Sequence, residues 1–289
     1  MRITTIVLTF NSAQSLGRVL DSCQDISDRV IVVDSYSQDD TEAIARRYGC
    51  EWWQHPFEHY AAQRNWAQAE ARLGPEDWVL HLDSDEVLSP QLTRAIARLK
   101  RQGPAPGIAG YLMQRRLHFL GKPLCWGHMN PCYHLRLFRA SDGGCEQRLY
   151  DQHYLVNGPV AQLDGLLLDL QLVSLEQWTA SHNRWSSAEV RELLAEQSSS
   201  QLGESLLGED PRQRRRWLKN RFYYRLPLFW RATGFFLYSY VFRLGFLDGL
   251  PGLIFIVLEV FWFRFLVDAK LLEARRKRAS TPAGIGVGV

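Results

Sequence analysis

Cysteine is sparse and irregular in this 289-residue chain, with five residues at positions 23, 50, 125, 132 and 145. An odd number without a repeating framework excludes a small disulfide scaffold and fits free thiols in a reducing compartment. Cys125, His128, Cys132 and His134 are residue types that zinc accepts, but their spacing matches no common zinc pattern. No G-x-G-x-x-G follows the first strand-like run and no G-x-x-x-x-G-K appears, which argues against dinucleotide enzymes and P-loop nucleotidases. The amino terminus enters that run directly, so no secretory leader is expected. Nor does any uncharged apolar run reach the roughly twenty residues of a clean membrane span. Residues 233–247 contain Arg243, and residues 250–267 contain Glu259 and Arg264.

What the chain does have is an uneven charge. Residues 211–278 carry fifteen Lys and Arg against four Asp and Glu, a net +11. The whole chain is only +3, so the remainder is acidic at −8. A basic tail rich in aromatics points to an anionic surface, membrane or nucleic acid. Its basic residues flank apolar helices instead of lining an exposed groove, so no nucleic-acid partner is expected.

The front half alternates. Residues 2–10 (RITTIVLTF) read as a β-branched strand, followed by helical spacing over 13–23. Residues 29–33 (RVIVV) form a second strand ending at Asp34, and Asp39, Asp40 and Thr41 offer caps for a helix to about 48. A short strand at 51–53, a helix over 59–72 and a strand at 78–82 follow. Such alternation predicts an α/β fold with a mainly parallel sheet, in which ligands bind beyond the carboxyl ends of the strands. The expected organisation is a nucleotide-binding domain over residues 1–200 and a helical membrane-association region over 201–289.

The strand at 78–82 runs into Asp83-Ser84-Asp85-Glu86, three carboxylates within four positions. Like charges this close repel unless a cation offsets them. Oxygen-only ligands favour Mg²⁺ or Mn²⁺ with positions left open for substrate phosphates. The same residues also read as an acidic turn before a helix capped by Ser89 with Pro90 as its first residue.

LTFN at 8–11, VVDSYSQDDT at 32–41, QRNWA at 63–67 and LDSDE at 82–86 resemble the nucleotide-sugar half of glycosyltransferase family 2. HMNPCYHLRLFR at 128–139, HNRW at 182–185 and GFLDGLPG at 245–252 extend the likeness, closest to lipopolysaccharide core-biosynthesis β-glycosyltransferases. The resemblance implies a GT-A-type, Rossmann-like domain, a nucleotide-sugar donor such as a UDP-sugar, and Mn²⁺ or Mg²⁺ as cofactor. It implies that Thr9 and Asn11 border the nucleotide and that Asp34 accepts a hydrogen bond from the base. Arg64 would reach base or diphosphate, Asp83 the ribose, and Asp85 the metal.

An inverting transfer also needs a base for the acceptor hydroxyl. The resembled group carries His-Glu shortly before a Gly turn; aligned on Gly158, this chain has Asp151 and Gln152 there. An amide is no base at neutral pH, so Asp151 is the candidate, with Glu146 and His153 as alternatives. Strict strand alternation puts Arg136 and Arg139 on opposite faces, and Arg136 is taken as the acceptor or phosphate contact. Trp178, His182 and Trp185 share a helix face that reads equally as core. The basic run from Arg212 to Arg225 contains Gln213-x-x-Arg216-Trp217, as in processive synthases, and reads as a membrane-interface helix.

GFLDGLPG then predicts the turn of a monotopic hairpin. The function expected is sugar transfer from a nucleotide donor to a lipid-linked or lipopolysaccharide-type acceptor at the cytoplasmic face of the inner membrane. A polyprenyl-phosphate acceptor, which needs no base, and an idle membrane-bound scaffold are the alternatives.

Overall fold

The computed structural model describes residues 1–195 and 210–280. The described chain divides into two compact units. One comprises residues 1–125, 129–172 and 210–217; the other comprises 126–128, 173–195 and 218–280. The domain boundary expected at residue 200 lies outside the described residues.

The first unit is built on one mixed sheet with strand order β3-β2-β1-β4-β8-β6-β11-β5. Its amino-terminal half is parallel: β1 (Ile3–Thr9) lies between β2 (Arg29–Asp34) and β4 (Trp78–Asp83), with β3 (Glu51–Gln54) outside β2. The far half turns antiparallel through β8 (Cys132–Arg139), β6 (Gly110–Phe119) and the short β5 (Glu86–Leu88), while β11 (Val160–Leu170) runs parallel to β6. Two residues of β7 (Lys122–Pro123) fold back on β6, and β9 (Gly143–Cys145) pairs with β10 (Tyr154–Val156) in a separate ribbon.

Alternation along the strands makes two cores. Ile3, Val7, Trp78, Leu80 and Leu82 pack on one face with α1 (Leu16–Cys23) and α4 (Pro90–Gln102). Ile6, Ile31, Val33 and Val79 pack on the other with α3 (Tyr60–Glu70), through Ala61 and Ala67. A strand buried on both faces can be apolar throughout, which is why β1 and β4 read as continuous hydrophobic runs. α2 (Thr41–Arg47) links β2 to β3. Ser89 does cap α4, its hydroxyl accepting from Leu92 N at 3.3 Å, with Pro90 in the first turn. The acidic turn and the helix cap are therefore both present.

The second unit is helical. α5 (Leu175–Leu194) packs with a hairpin made by α7 (Trp230–Leu237) and a long helix in which α8 (Gly249–Phe255) passes through a π-helical segment into α9 (Phe263–Ser280). The reversal lies earlier than the GFLDGLPG reading implies. It occupies Arg243 to Asp248, and Gly249, Leu250 and Pro251 already form the first turn of α8, where proline is tolerated. Gly245 is required there, because a Cβ would stand 2.3 Å from Ile256 Cδ1 and 2.7 Å from the Ser239 carbonyl oxygen. α6 (Pro211–Arg221) begins in the sheet unit.

Candidate active site

Parallel register brings three sequence-distant residues to one edge. Thr9 lies opposite Asp34, and Leu8 opposite Asp83, all at strand carboxyl ends. Asp34 is fully buried. Its carboxylate accepts from Thr9 Oγ1 at 2.9 Å, from Ser37 N at 2.7 Å and from Ser37 Oγ at 2.5 Å. Asn11, in the left-handed region at φ 49°, donates its N–H to Ser37 Oγ and accepts from Gln38 N at 2.8 Å. The loops after β1 and β2 are thereby knitted together. Asp34 thus accepts two hydrogen bonds on Oδ1 and one on Oδ2 from its own loops, and a nucleobase N–H would be a further donor to it. Ser12 Oγ reaches Ser84 Oγ at 2.8 Å, tying the β1 loop to the acidic turn.

At that turn the three carboxylates divide. Asp83 pairs with Arg64 of α3 at 2.8 Å and with Arg136 of β8 at 2.6 Å. Arg136 also holds Glu86, at 2.6 Å. Burial opposes the charge on Asp83, yet Arg136 and Arg64 hold its carboxyl well below the usual range. Both guanidinium groups lie over the Tyr154 ring, 5.5 and 5.7 Å from its centroid. Arg139, by contrast, turns to Asp142 at 3.6 Å. Asp85 has no Lys or Arg within ion-pair distance among the described residues. Burial, then the charges of Asp83 and Glu86, push its carboxyl up to about 7.

The candidate-base loop starts from the same place. Asn65, next to Arg64, exchanges two 2.8 Å hydrogen bonds with the backbone of Cys145. Tyr154, under the two arginines, closes the loop at its other end. Between them Glu146 is buried in a bidentate pair with Arg216, at 2.8 and 3.0 Å. Arg216 also donates to the Asp151 carbonyl at 2.9 Å, and Arg212 to the Tyr154 carbonyl at 2.7 Å. Asp151 sits in the left-handed region at φ 56°, its carboxylate 3.7 Å from His153 Nε2. Gln152 donates to the Arg148 carbonyl.

These contacts take two arginines out of the basic run expected at a membrane interface, while Arg214, Arg221 and Arg225 stay exposed. Arg212 and Arg216 are 5% and 4% exposed and serve the fold of the sheet unit. The charge pattern was visible in sequence; the internal acceptors were not, because Glu146 and Tyr154 stand some sixty to seventy residues upstream.

Residues 4–146 match the Glycosyl transferase family 2 profile. An uncharacterized glycosyltransferase of Rickettsia prowazekii is 27% identical over 202 residues, 67% of this chain and 68% of the relative. One of Rickettsia conorii is 40% identical over 91 residues, 32% of this chain and 31% of the relative. Residues 4–146 carry a family 2 glycosyltransferase domain. Among solved structures, glucosyl-3-phosphoglycerate synthase of Mycobacterium tuberculosis, in complex with Mn²⁺ and UDP, is 22% identical with a TM-score of 0.33. That match covers 40% of this chain and 44%, less than half, of the synthase.

The match stops at Glu146, the residue that Arg216 holds, while the sheet unit continues through β10 and β11. Among the described residues no three His, Cys, Asp or Glu side chains converge to hold a metal by themselves, the Cys125 to His134 stretch included. The acidic turn nevertheless suits a hard cation completed by substrate oxygens. Its ligands are carboxylates, and Asp85 alone is not already neutralised by arginine. Sequence reasoning missed Tyr154 as part of the site and, while placing Glu86 in the acidic cluster, gave it no role of its own. An aromatic at 154 carries no motif, and Glu86 gains its role only because β8 crosses beside β4.

Proposed function

We propose that the chain is an inverting, metal-dependent transferase that moves a sugar from a nucleotide donor, a UDP-sugar, to a lipid-linked or lipopolysaccharide-type acceptor at the cytoplasmic membrane face. The observation that carries this reading is the divided carboxylate cluster. Two acids are saturated by Arg64 and Arg136, and the third, Asp85, is left at the crevice edge with its charge uncompensated.

The nucleoside lies along Thr9, Asn11 and Asp34, with Asp83 toward the ribose. Asp85 would hold Mn²⁺ or Mg²⁺, which when bound would supply Lewis-acid stabilisation of the diphosphate leaving group. Arg64 and Arg136 add fixed positive charge where the leaving group gains negative charge, in a site that needs no reorganisation to provide it. Arg136 also faces the acceptor or its phosphate. Asp151 takes the proton from the acceptor hydroxyl as its oxygen attacks the anomeric carbon. The helical unit keeps the protein at the membrane where a lipid-linked acceptor resides; its helix Gly245–Arg278 is long and apolar enough to cross a bilayer by length and composition.

Calorimetric titration with UDP tests the donor site. Binding should require Mn²⁺ and vanish in Asp85→Ala; unchanged binding in that variant removes the metal role. Asp151→Asn should retain donor binding and lose about 10²- to 10⁴-fold in turnover. Full turnover on a hydroxyl acceptor would reject Asp151 as the base.

A further inference from the structure

Of the charges that interrupt the apolar tail, Glu259 and Arg264 are used inside the helical unit, and Arg243 is half-buried in the turn. His182 Nε2 meets Glu259 at 2.8 Å, and Glu189 meets Arg264 at 2.9 Å. Lys270 donates to Asn183 Oδ1 at 2.6 Å and to the Ser186 and Ser187 hydroxyls at 2.8 Å. Arg231 and Asp268 form a buried pair between the two arms of the hairpin. The outermost contacts, His182 with Glu259 and the Leu194 carbonyl with Arg278, lay α5 along the carboxyl-terminal part of that helix. The outward side of α5 exposes Glu176, Gln177, Asn183, Arg184 and Arg191.

The other end of the hairpin is different. Every exposed residue from Leu237 to Leu250 is apolar, aromatic or glycine. Phe242 is 76% exposed and Leu250 68%. Asp248 in the turn is partnered, accepting from Trp126 N at 2.9 Å, and Gly127 N donates to the Arg243 carbonyl. Only 33% of the most apolar stretch of the long helix is buried. A contiguous apolar surface of this kind marks an interaction site.

The geometry points to a hairpin that enters a single leaflet of a bilayer tip first, with Glu259 as the limit of immersion. From Gly249 to Glu259 the helix rises about 15 Å. That is half of the roughly 30 Å hydrocarbon core. Deeper entry would carry the polar face of α5 into hydrocarbon, where charged side chains are costly. The chain is therefore monotopic: its 34-residue helix passes the test for a span by composition, but the neighbour packed beside it stops it halfway. This inference rests on the membrane part of the reading above and adds which segment enters, and how far.

Flotation of the full-length protein with neutral phosphatidylcholine vesicles tests it. The wild type should float. Leu247→Asp with Leu250→Asp should reduce the floated fraction at least about tenfold, since a charge at membrane depth is strongly disfavoured. Trp230→Glu, on a residue 75% exposed but level with the Arg231–Asp268 pair, should leave flotation unchanged. Circular dichroism melts of the two variants and of the wild type establish that each is folded. Flotation that survives the tip charges overturns the proposal, and loss of flotation in Trp230→Glu overturns the half-depth limit. A wild type that does not float but self-associates through the tip, seen by light scattering, assigns the surface to a second copy and also overturns it. Mn²⁺-dependent UDP binding, measured on the same preparations, should be equal in all of them; its absence throughout would reject the donor-site reading without bearing on flotation.

Discussion

Asp85 carries a cost that Asp83 has shed. Its carboxyl is pushed up to about 7 by burial and by the charges beside it, whereas in the unfolded chain it titrates near 3.8. The folded state therefore binds a proton that the unfolded state does not, over the interval between those values. Above about pH 7 the residue is ionised in both states and its destabilising effect is complete; as pH falls toward 4 the effect disappears. In EDTA, Asp85→Asn should raise the melting temperature at pH 8, and the gain should shrink steadily between pH 7 and pH 4. A gain that does not vary with pH would mean that the charge is not the cause.

Arg136 is the counterpart. It is 4% exposed and joins two acids, one of them fully enclosed. Arg136→Met would strand that charge, at a cost of about 3–5 kcal/mol by analogy with other broken buried pairs. Thermal or urea unfolding measures it. A loss below about 1 kcal/mol would place the pair in solvent-like surroundings.

Among the elements, α6 departs most from its composition. Eleven residues with five arginines suggest a solvated or membrane-facing face. Instead Arg212 and Arg216 reach across to the loop between β9 and β10 and hold it at Glu146, Asp151 and Tyr154. Arg216→Lys should not replace it, because one ammonium cannot reproduce a planar fork that serves a carboxylate and a carbonyl together. We expect faster amide hydrogen exchange over residues 147–153 and a lower kcat with an unchanged donor KM. Equal exchange in the variant and the wild type would show that α6 does not order the loop. Strands β1, β2 and β4 and the α4 cap were legible because they depend on neighbours in sequence: β-branched runs, Ser89 before Pro90. The partners of α6 were not, since a buried ion pair has no local signature.

At the scale of the whole molecule, the net charge of the tail is a poor guide to what holds it at a surface. The exposed cluster Arg275, Arg276, Lys277 and Arg278 lies at the end of the long helix remote from the apolar tip. From Gly249 to Arg275 the helix rises about 39 Å, so with 15 Å immersed the cluster stands well beyond a Debye length of about 8–10 Å. Anionic lipid should therefore raise vesicle binding by less than about twofold, and 0.5 M salt should barely lower it. Strong salt dependence would return the interaction to the basic residues.

The sequence by itself determined the alternating α/β half, the strand-end acids and the apolar hairpin, because each follows from periodicity or from residues a few positions apart. Only the tertiary structure decided which acid stays without an arginine partner, where Arg212 and Arg216 point and which part of the hairpin is left uncovered. Those outcomes depend on β8 crossing beside β4 and on α5 lying along α9, contacts between segments that are remote in the chain.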